Sequence, residues 1–275
     1  MTLGHEGSGR LNERAAIAPP DLPGALLPIW HLEADRALFI GPLGHNAPHA
    51  HSVPVLLAGL YGAVRLRIAD GPWQRCEAAA VPAGVNYEFD VEGQPLAVLY
   101  LEPQAGRVDG LAPFVANARE TSGALLGKSA LTASLRELYE ARDGAAWAGQ
   151  SLEDLFAYSA HRARRNIDPR IARALSDLTI ETGPEMTAQH AAARVGLSSS
   201  RFQHLFADEV GVPFRRYRVW LRLRHAIAEI IAGSTFTDAA HAARFADQAH
   251  FSRAFRQAFG ASASPSLRKV RRAVV

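Results

Sequence analysis

The sequence predicts an α+β chain, with an antiparallel β-barrel of short strands first and an all-α C-terminal domain of two helix-turn-helix modules after it. Three observations carry this expectation. Short apolar runs punctuated by Gly, Pro and Asp fill the stretch from about residue 25 to 103. A Phe-x3-Phe-x4-Gly pattern occurs twice, as Phe202, Phe206, Gly211 and as Phe251, Phe255, Gly260, each pair offset by 49 residues. Charge divides sharply between the two halves.

The overall charge of +3 conceals that division. Residues 161–275 hold 19 Lys and Arg against 9 Asp and Glu, a net +10, whereas residues 1–160 hold 11 against 18, a net −7. A basic domain beside an acidic one points to a polyanion partner for the C-terminal half alone. Of its 19 basic residues 18 are Arg, the side chain whose planar fork suits phosphates and guanine edges. A length of 275 residues fits two domains with real cores. The single cysteine, Cys76, excludes an internal disulfide and suits a reducing compartment. The chain shows neither a basic-then-apolar start nor a run of 18 apolar residues, so a soluble cytoplasmic protein without membrane contact is expected.

Taken in order, residues 1–20 are polar, contain Gly and end in Pro19-Pro20, which reads as a flexible tail. Strands are expected over Ala25–Leu32, Ala37–Gly41, Val53–Tyr61, Val64–Ala69, Ala78–Val81, Tyr87–Val91 and Leu96–Leu101. Helices resume at about Ser129. Leu131, Leu135 and Leu138 form an apolar stripe on a helix over Leu131–Arg142, and Leu152–Arg164 is a second. Arg162-Ala-Arg-Arg165 begins the basic region. Asp168-Pro169 caps a helix over Arg170–Thr182, because Asp favours the N-cap and Pro the first turn. Gly183-Pro184 then breaks the chain.

Each Phe-x3-Phe segment is short, apolar on one face and polar on the other, and ends at a Gly able to adopt a left-handed turn. Each is preceded by a second short helix. Thr187 caps Ala188–Val195 and Gly196 permits the turn; later, Thr237 caps Asp238–Ala243, with Arg244-Phe245 at the turn. Helix, tight turn, helix is the arrangement that lays the second helix in a DNA major groove. Pro213–Ile231, with Trp220, Leu223, Ile227 and Ile230 at helical spacing, joins the copies. Nineteen helical residues span roughly 28 Å, close to the ~34 Å between successive major-groove faces.

The stretch from Ala239 to Gly260 resembles the signature of the AraC/XylS family of bacterial transcription regulators. Val195-Gly-Leu-Ser198 through Leu205-Phe206, and Tyr217 through Ala226, resemble that family's first module and linker helix. The chain departs from the pattern where Arg244 stands in place of Gly, where Ala239 and His241 replace larger apolar residues, and where the terminal Ser-Pro is displaced to Ser264-Pro265. The resemblance implies a DNA-binding domain over 166–275 and, more weakly, a cupin-like sensor and dimerisation domain over 21–165. It implies double-stranded DNA, RNA polymerase and a small-molecule effector as partners of a homodimer. Leu131–Arg142 then resembles the dimerisation helix, although a helix simply packed on the barrel reads the stripe equally well. Ser200, Gln203 and His204 occupy base-facing positions of the first module, and Gln248, His250 and Arg253 those of the second. Their chemistry agrees, since Gln pairs bidentately with adenine and Arg with guanine. Arg201, Arg215, Arg216 and Arg256 read as phosphate clamps that add affinity rather than sequence choice.

The strongest enzyme-like signal is His45, His49 and His51. Alternate strand residues face the same way, so His49 and His51 can both point into the barrel. In metal-binding cupins a Glu follows the His pair and another His comes later; here Val53–Leu57 offers no carboxylate, and Asn86 stands at the later position. Neither a metal nor another cofactor is therefore expected. Gly-x-Ser-x-Gly, Gly-x4-Gly-Lys and His-Glu-x-x-His are absent, and Cys76 has no partner for nucleophilic work. Trp30, His49, His51, Arg65, Trp73, Tyr87 and Tyr100 are the candidates to line an effector pocket. The competing reading is a cupin-type metalloenzyme with an appended basic domain.

Overall fold

The structure, a computed structural model, describes residues 26–141, 143–160, 167–180 and 186–271. The expected tail at 1–20, the Arg162–Arg165 run, the break at Gly183-Pro184 and the boundary at 165/166 all lie outside the described residues.

Two antiparallel sheets face each other. The strands are β1 (Ile29–Leu32), β2 (Arg36–Pro42), β3 (His45–His49), β4 (Val55–Gly59), β5 (Val64–Ile68), β6 (Gln74–Cys76), β7 (Ala78–Val81), β8 (Tyr87–Asp90), β9 (Pro95–Leu101), β10 (Val115–Thr121) and β11 (Ala124–Ser129). One sheet runs β1-β2-β9-β4-β7-β11-β10 and the other β3-β8-β5-β6. Every expected strand is present, but the expected set ended near Pro103 and omitted four. β3 contains Pro48 and three polar residues, β6 is only three residues long, and β10 is almost wholly exposed, so none shows the alternation that marks a half-buried strand. β11, by contrast, alternates buried with more exposed positions; it lay beyond the stretch read as strands.

Why the central strands are apolar on both faces follows from what covers them. Alternate residues of β2, β4, β7 and β9 point opposite ways. Phe39, Leu57, Val81, Val98 and Tyr100 turn inward toward the second sheet. Leu38, Ile40, Leu56, Ala80 and Leu99 turn outward and are covered by two helices, α1 (Thr132–Glu140) and α2 (Gly144–Ala160). Leu131, Leu135 and Leu138 are all buried in that outer layer. The apolar stripe is thus used within one chain, as the packing reading expected.

The helical part comprises α3 (Pro169–Ile180), α4 (Ala188–Arg194), α5 (Ser199–Val210), α6 (Phe214–Ala232), α7 (Phe236–Ala242), α8 (Gln248–Phe259) and α9 (Ala263–Leu267). Asp168 Oδ1 accepts from the Arg170 N–H at 2.9 Å, in the capping role that Asp168-Pro169 predicts. Thr187 caps α4, its hydroxyl accepting from the His190 N–H at 3.1 Å. One expectation needs correcting: Thr235, not Thr237, caps the next helix by accepting from the Asp238 N–H at 3.1 Å. Thr237 instead lies in the first turn and donates to Gln248 Oε1 at 3.0 Å, tying α7 to α8.

The apolar interior is continuous from the barrel into the helices. Tyr100 of β9 lies 5.3 Å from the Trp220 ring of α6 and 6.1 Å from the Phe259 ring of α8, centroid to centroid.

Candidate nucleic-acid interface and barrel pocket

The two modules build the same device twice. In α5 the Ser198 hydroxyl caps the helix by accepting from the Arg201 N–H at 3.3 Å, Phe202 and Phe206 are fully buried, and Gly211 ends it with φ 89°. In α8 Asp247 caps by accepting from the His250 N–H at 2.6 Å, Phe251, Phe255 and Phe259 are buried, and Gly260 ends it with φ 70°. Those φ values are the region where a Cβ clashes, so the sequence places glycine there.

The polar faces remain open. Ser200, Arg201, Gln203 and His204 are exposed on α5; Gln248, Arg253 and Arg256 are exposed on α8, with His250 half-buried. Several are already oriented. Gln203 Nε2 donates to the Ser199 carbonyl at 3.3 Å, and Gln248 is held by Thr237. His250 Nδ1 accepts from the Ala246 N–H at 3.4 Å while the ring stands edge-on to Phe245 at 5.3 Å. A cleft of about 720 Å³ between α6 and α8 carries Arg215, Arg216, Arg222 and Arg253 on its walls. Arg216 differs from the other expected clamps: it donates to the Ala50 carbonyl of the barrel, and its own carbonyl accepts from Ser52 Oγ at 3.3 Å. It ties the helices to the barrel as well as facing the cleft.

Both terminal glycines rest on the barrel. A Cβ on Gly211 would lie 3.2 Å from the Ala83 Cβ, and one on Gly260 would lie 2.4 Å from the Ala47 carbonyl oxygen. The Ala47 N–H donates to the Gly260 carbonyl at 3.0 Å, and Asn46 Nδ2 donates to the Phe259 carbonyl at 2.7 Å. Both α5 and α8 therefore touch the barrel at the C-terminal end and carry their first turns at the opposite end. Between them, α6 docks through Glu102, a carboxylate only 2% exposed that accepts from Tyr217 Oη and Trp220 Nε1, each at 2.8 Å, and from Arg224.

A pocket of about 480 Å³ opens where the barrel mouth meets α8 and α9. Of the seven expected lining residues it gathers Trp30, His49, His51, Tyr87 and Tyr100. Arg65 and Trp73 are elsewhere: Arg65 pairs with Asp90 at 3.7 Å and stacks 5.2 Å from the Trp73 ring on the outside of the second sheet, where Trp73 is 38% exposed. The reason is the pleat, since Val64 and Leu66 take the inward positions of β5. Residues that sequence reasoning missed complete the pocket: Asn46 and Phe89 from the barrel, Phe255 and Phe259 from α8.

His49 and His51 do both reach the pocket, with rings 5.0 Å apart, although β3 ends at His49. The His49 Nδ1–H donates to the Ala47 carbonyl at 2.8 Å. Burial pushes its imidazole down to about 4 and holds His51 well below the ordinary value, so both are neutral near pH 7. Burial likewise keeps Tyr87 protonated. Among the described residues no three of His, Cys, Asp and Glu cluster as a metal-binding group. Burial also pushes the Cys76 thiol up to about 11, which makes it an inert core residue. No described helix is long and apolar enough to cross a membrane.

Residues 191–269 match the family model of a helix-turn-helix domain. No curated protein sequence matches the chain. Among solved structures, the chain is similar to ToxT from Vibrio cholerae. For the unsaturated-fatty-acid-bound wild type of strain SCE256 the identity is 12% and the TM-score 0.56, over 86% of this chain and 96% of that one. For ToxT of strain O395 the values are 11% and 0.55, over 86% and 98%. At such identities the likeness is one of fold, a β-rich domain followed by helix-turn-helix modules.

Proposed function

We propose that this chain, whose C-terminal part is an AraC-type helix-turn-helix domain, is a sequence-specific DNA-binding transcription regulator controlled by a small molecule held at the barrel mouth. The observation that carries the control is the shared pocket wall. Phe255 and Phe259 belong to the second recognition helix, yet they line the same cavity as Trp30, His51 and Tyr87 of the barrel. An occupant therefore touches the element that reads DNA. It biases α8 between docked and released positions to the extent that it binds one of them more tightly.

In this reading residues 21–165 form the sensor half and residues 166–275 the DNA-binding half. Ser200, Gln203, His204, Gln248, His250 and Arg253 meet base edges, while Arg201, Arg215 and Arg256 meet phosphates. Arg216 adds a phosphate contact only after giving up Ala50. The chain acts without catalysis, on double-stranded DNA and RNA polymerase, in the cytoplasm and as a homodimer. ToxT, whose fold is similar, has been solved with an unsaturated fatty acid bound, which supports ligand binding as something this fold accommodates.

Footprinting of the purified protein on the DNA flanking its own coding region tests the reading. A protected site of two segments about one helical turn apart is expected; protection that is uniform along the DNA contradicts it.

A further inference from the structure

Four polar side chains of the barrel-mouth pocket, Asn46, His49, His51 and Tyr87, are buried and electrically neutral. Asn46, His51 and Tyr87 are 5%, 3% and 1% exposed, and Asn46 Oδ1, His51 Nδ1 and Tyr87 Oη have no hydrogen-bond partner among the described residues. A buried polar atom without a partner is costly, and structures seldom retain three around one cavity without use for them. Asn46 and Tyr87 each have a definite role on offer, and His49 beside them has another. Asn46 Nδ2 is committed to the Phe259 carbonyl, so Oδ1 remains as an acceptor. The His49 Nδ1–H is committed to Ala47, so its Nε2 is also an acceptor. The Tyr87 hydroxyl is a donor.

The walls around them are rings: Trp30, Phe39, Phe89, Tyr100, Phe255 and Phe259. Trp30 lies 6.0 Å from Tyr100 in a stacked arrangement, and Phe255 lies 4.2 Å from Phe259. Among the described residues neither Lys nor Arg lines the pocket. The one imidazole at its rim, His45, is bonded through Nε2 to Glu88 at 2.6 Å, and Glu88 is also paired with Arg67. Arg216 faces the neighbouring cleft and donates to Ala50. A carboxylate entering the cavity would thus lose its water with no cation in the described lining to bond it. A hydroxyl, by contrast, donates to Asn46 Oδ1 or His49 Nε2 and accepts from Tyr87 with the same oxygen.

We infer that the pocket is a receptor for an uncharged, flat aromatic alcohol, its ring packed among the Trp30–Phe259 walls and its hydroxyl shared by Tyr87 and the Asn46 and His49 acceptors. The inference rests on the effector reading above and narrows it to a ligand class.

Isothermal titration of the full chain at pH 7.5 with four probes tests it: 2-naphthol, 2-naphthoate, naphthalene and oleate. 2-Naphthol is expected to bind at least about tenfold more tightly than naphthalene or 2-naphthoate, the factor that one satisfied buried group supplies. Tyr87→Phe should erase most of the margin over naphthalene and leave naphthalene itself unchanged. If 2-naphthoate or oleate binds as tightly as 2-naphthol or more so, the ligand class is wrong while a receptor pocket stands. Unchanged 2-naphthol affinity in Tyr87→Phe, with the variant as cooperatively folded as wild type, overturns the assignment of the hydroxyl. Heat signals absent for all four overturn the inference together with the effector reading on which it rests.

Discussion

Glu102 and Trp220 meet across the join between barrel and linker helix, the buried indole N–H donating to the carboxylate at 2.8 Å. Tyr217, Trp220 and Arg224 are three and four residues apart on α6, so all three point to that one acid. Glu102→Ala should leave three donors without their acceptor and cost on the order of 3–5 kcal/mol, the usual penalty for breaking a buried pair. Glu102→Gln retains one acceptor oxygen and should cost less. Urea unfolding checks the order; equal, small losses for both would mean that the helices do not rely on this contact.

The pocket histidines predict a pH dependence. His49 titrates at about 4 in the folded chain and near its ordinary value when unfolded, chiefly because it is buried, with Arg216 also opposing its charge; His51 is depressed in the same direction, with His49 and Arg216 adding to burial. The unfolded state therefore binds more protons between about pH 6.5 and 4, and stability is lost as pH falls through that window. Its size for His49 is about 3 kcal/mol at most. Melting temperatures of wild type and His49→Gln, followed from pH 8 to pH 4, should converge toward the acid end. Parallel curves would contradict neutral burial of this ring.

Arg244 has φ 61° at the turn of the second module, where a glycine would be unstrained. Its side chain is exposed, and the bond from Arg222 goes to its backbone carbonyl, which a substitution keeps. Arg244→Gly should therefore raise stability by about 1 kcal/mol or less. A lower melting temperature would mean that the guanidinium holds something the backbone does not.

The two modules should divide the reading of DNA. Arg253→Ala should cost about 1–3 kcal/mol and relax one base pair; Gln203→Ala should relax another, about ten base pairs away. Arg256→Ala should weaken all sequences alike and lower the salt slope by about one. Binding to a single-substitution operator series separates these outcomes.

Much of this was legible because it is local. Stripes such as Phe251 and Phe255, glycines at helix ends and caps at Thr187 and Asp168 are set within a few residues, and they appear where the sequence places them. Thr235 and Thr237 are not distinguishable as caps from sequence, because two residues of the same chemistry stand beside one helix start. Arg65 could have been placed outside from its neighbours, since Val64 and Leu66 claim the inward positions of β5. The spacing Tyr217, Trp220, Arg224 was also visible, but not the acid it serves. Glu102 lies more than a hundred residues away, at the end of a strand, and only the docking of the two halves joins them. The same holds for Phe255, expected in the buried stripe of its helix and found also on the wall of the barrel pocket, with Phe259 beside it.

In the proposed regulator two helices joined by α6 read one DNA face in sequence. Selection of the full chain against a random duplex library tests it most directly. Enrichment of a site with two short motifs centred about ten base pairs apart is expected, with Gln203→Ala degrading one motif and Arg253→Ala the other. Retention of all sequences alike, or a single motif lost in both variants, would contradict it.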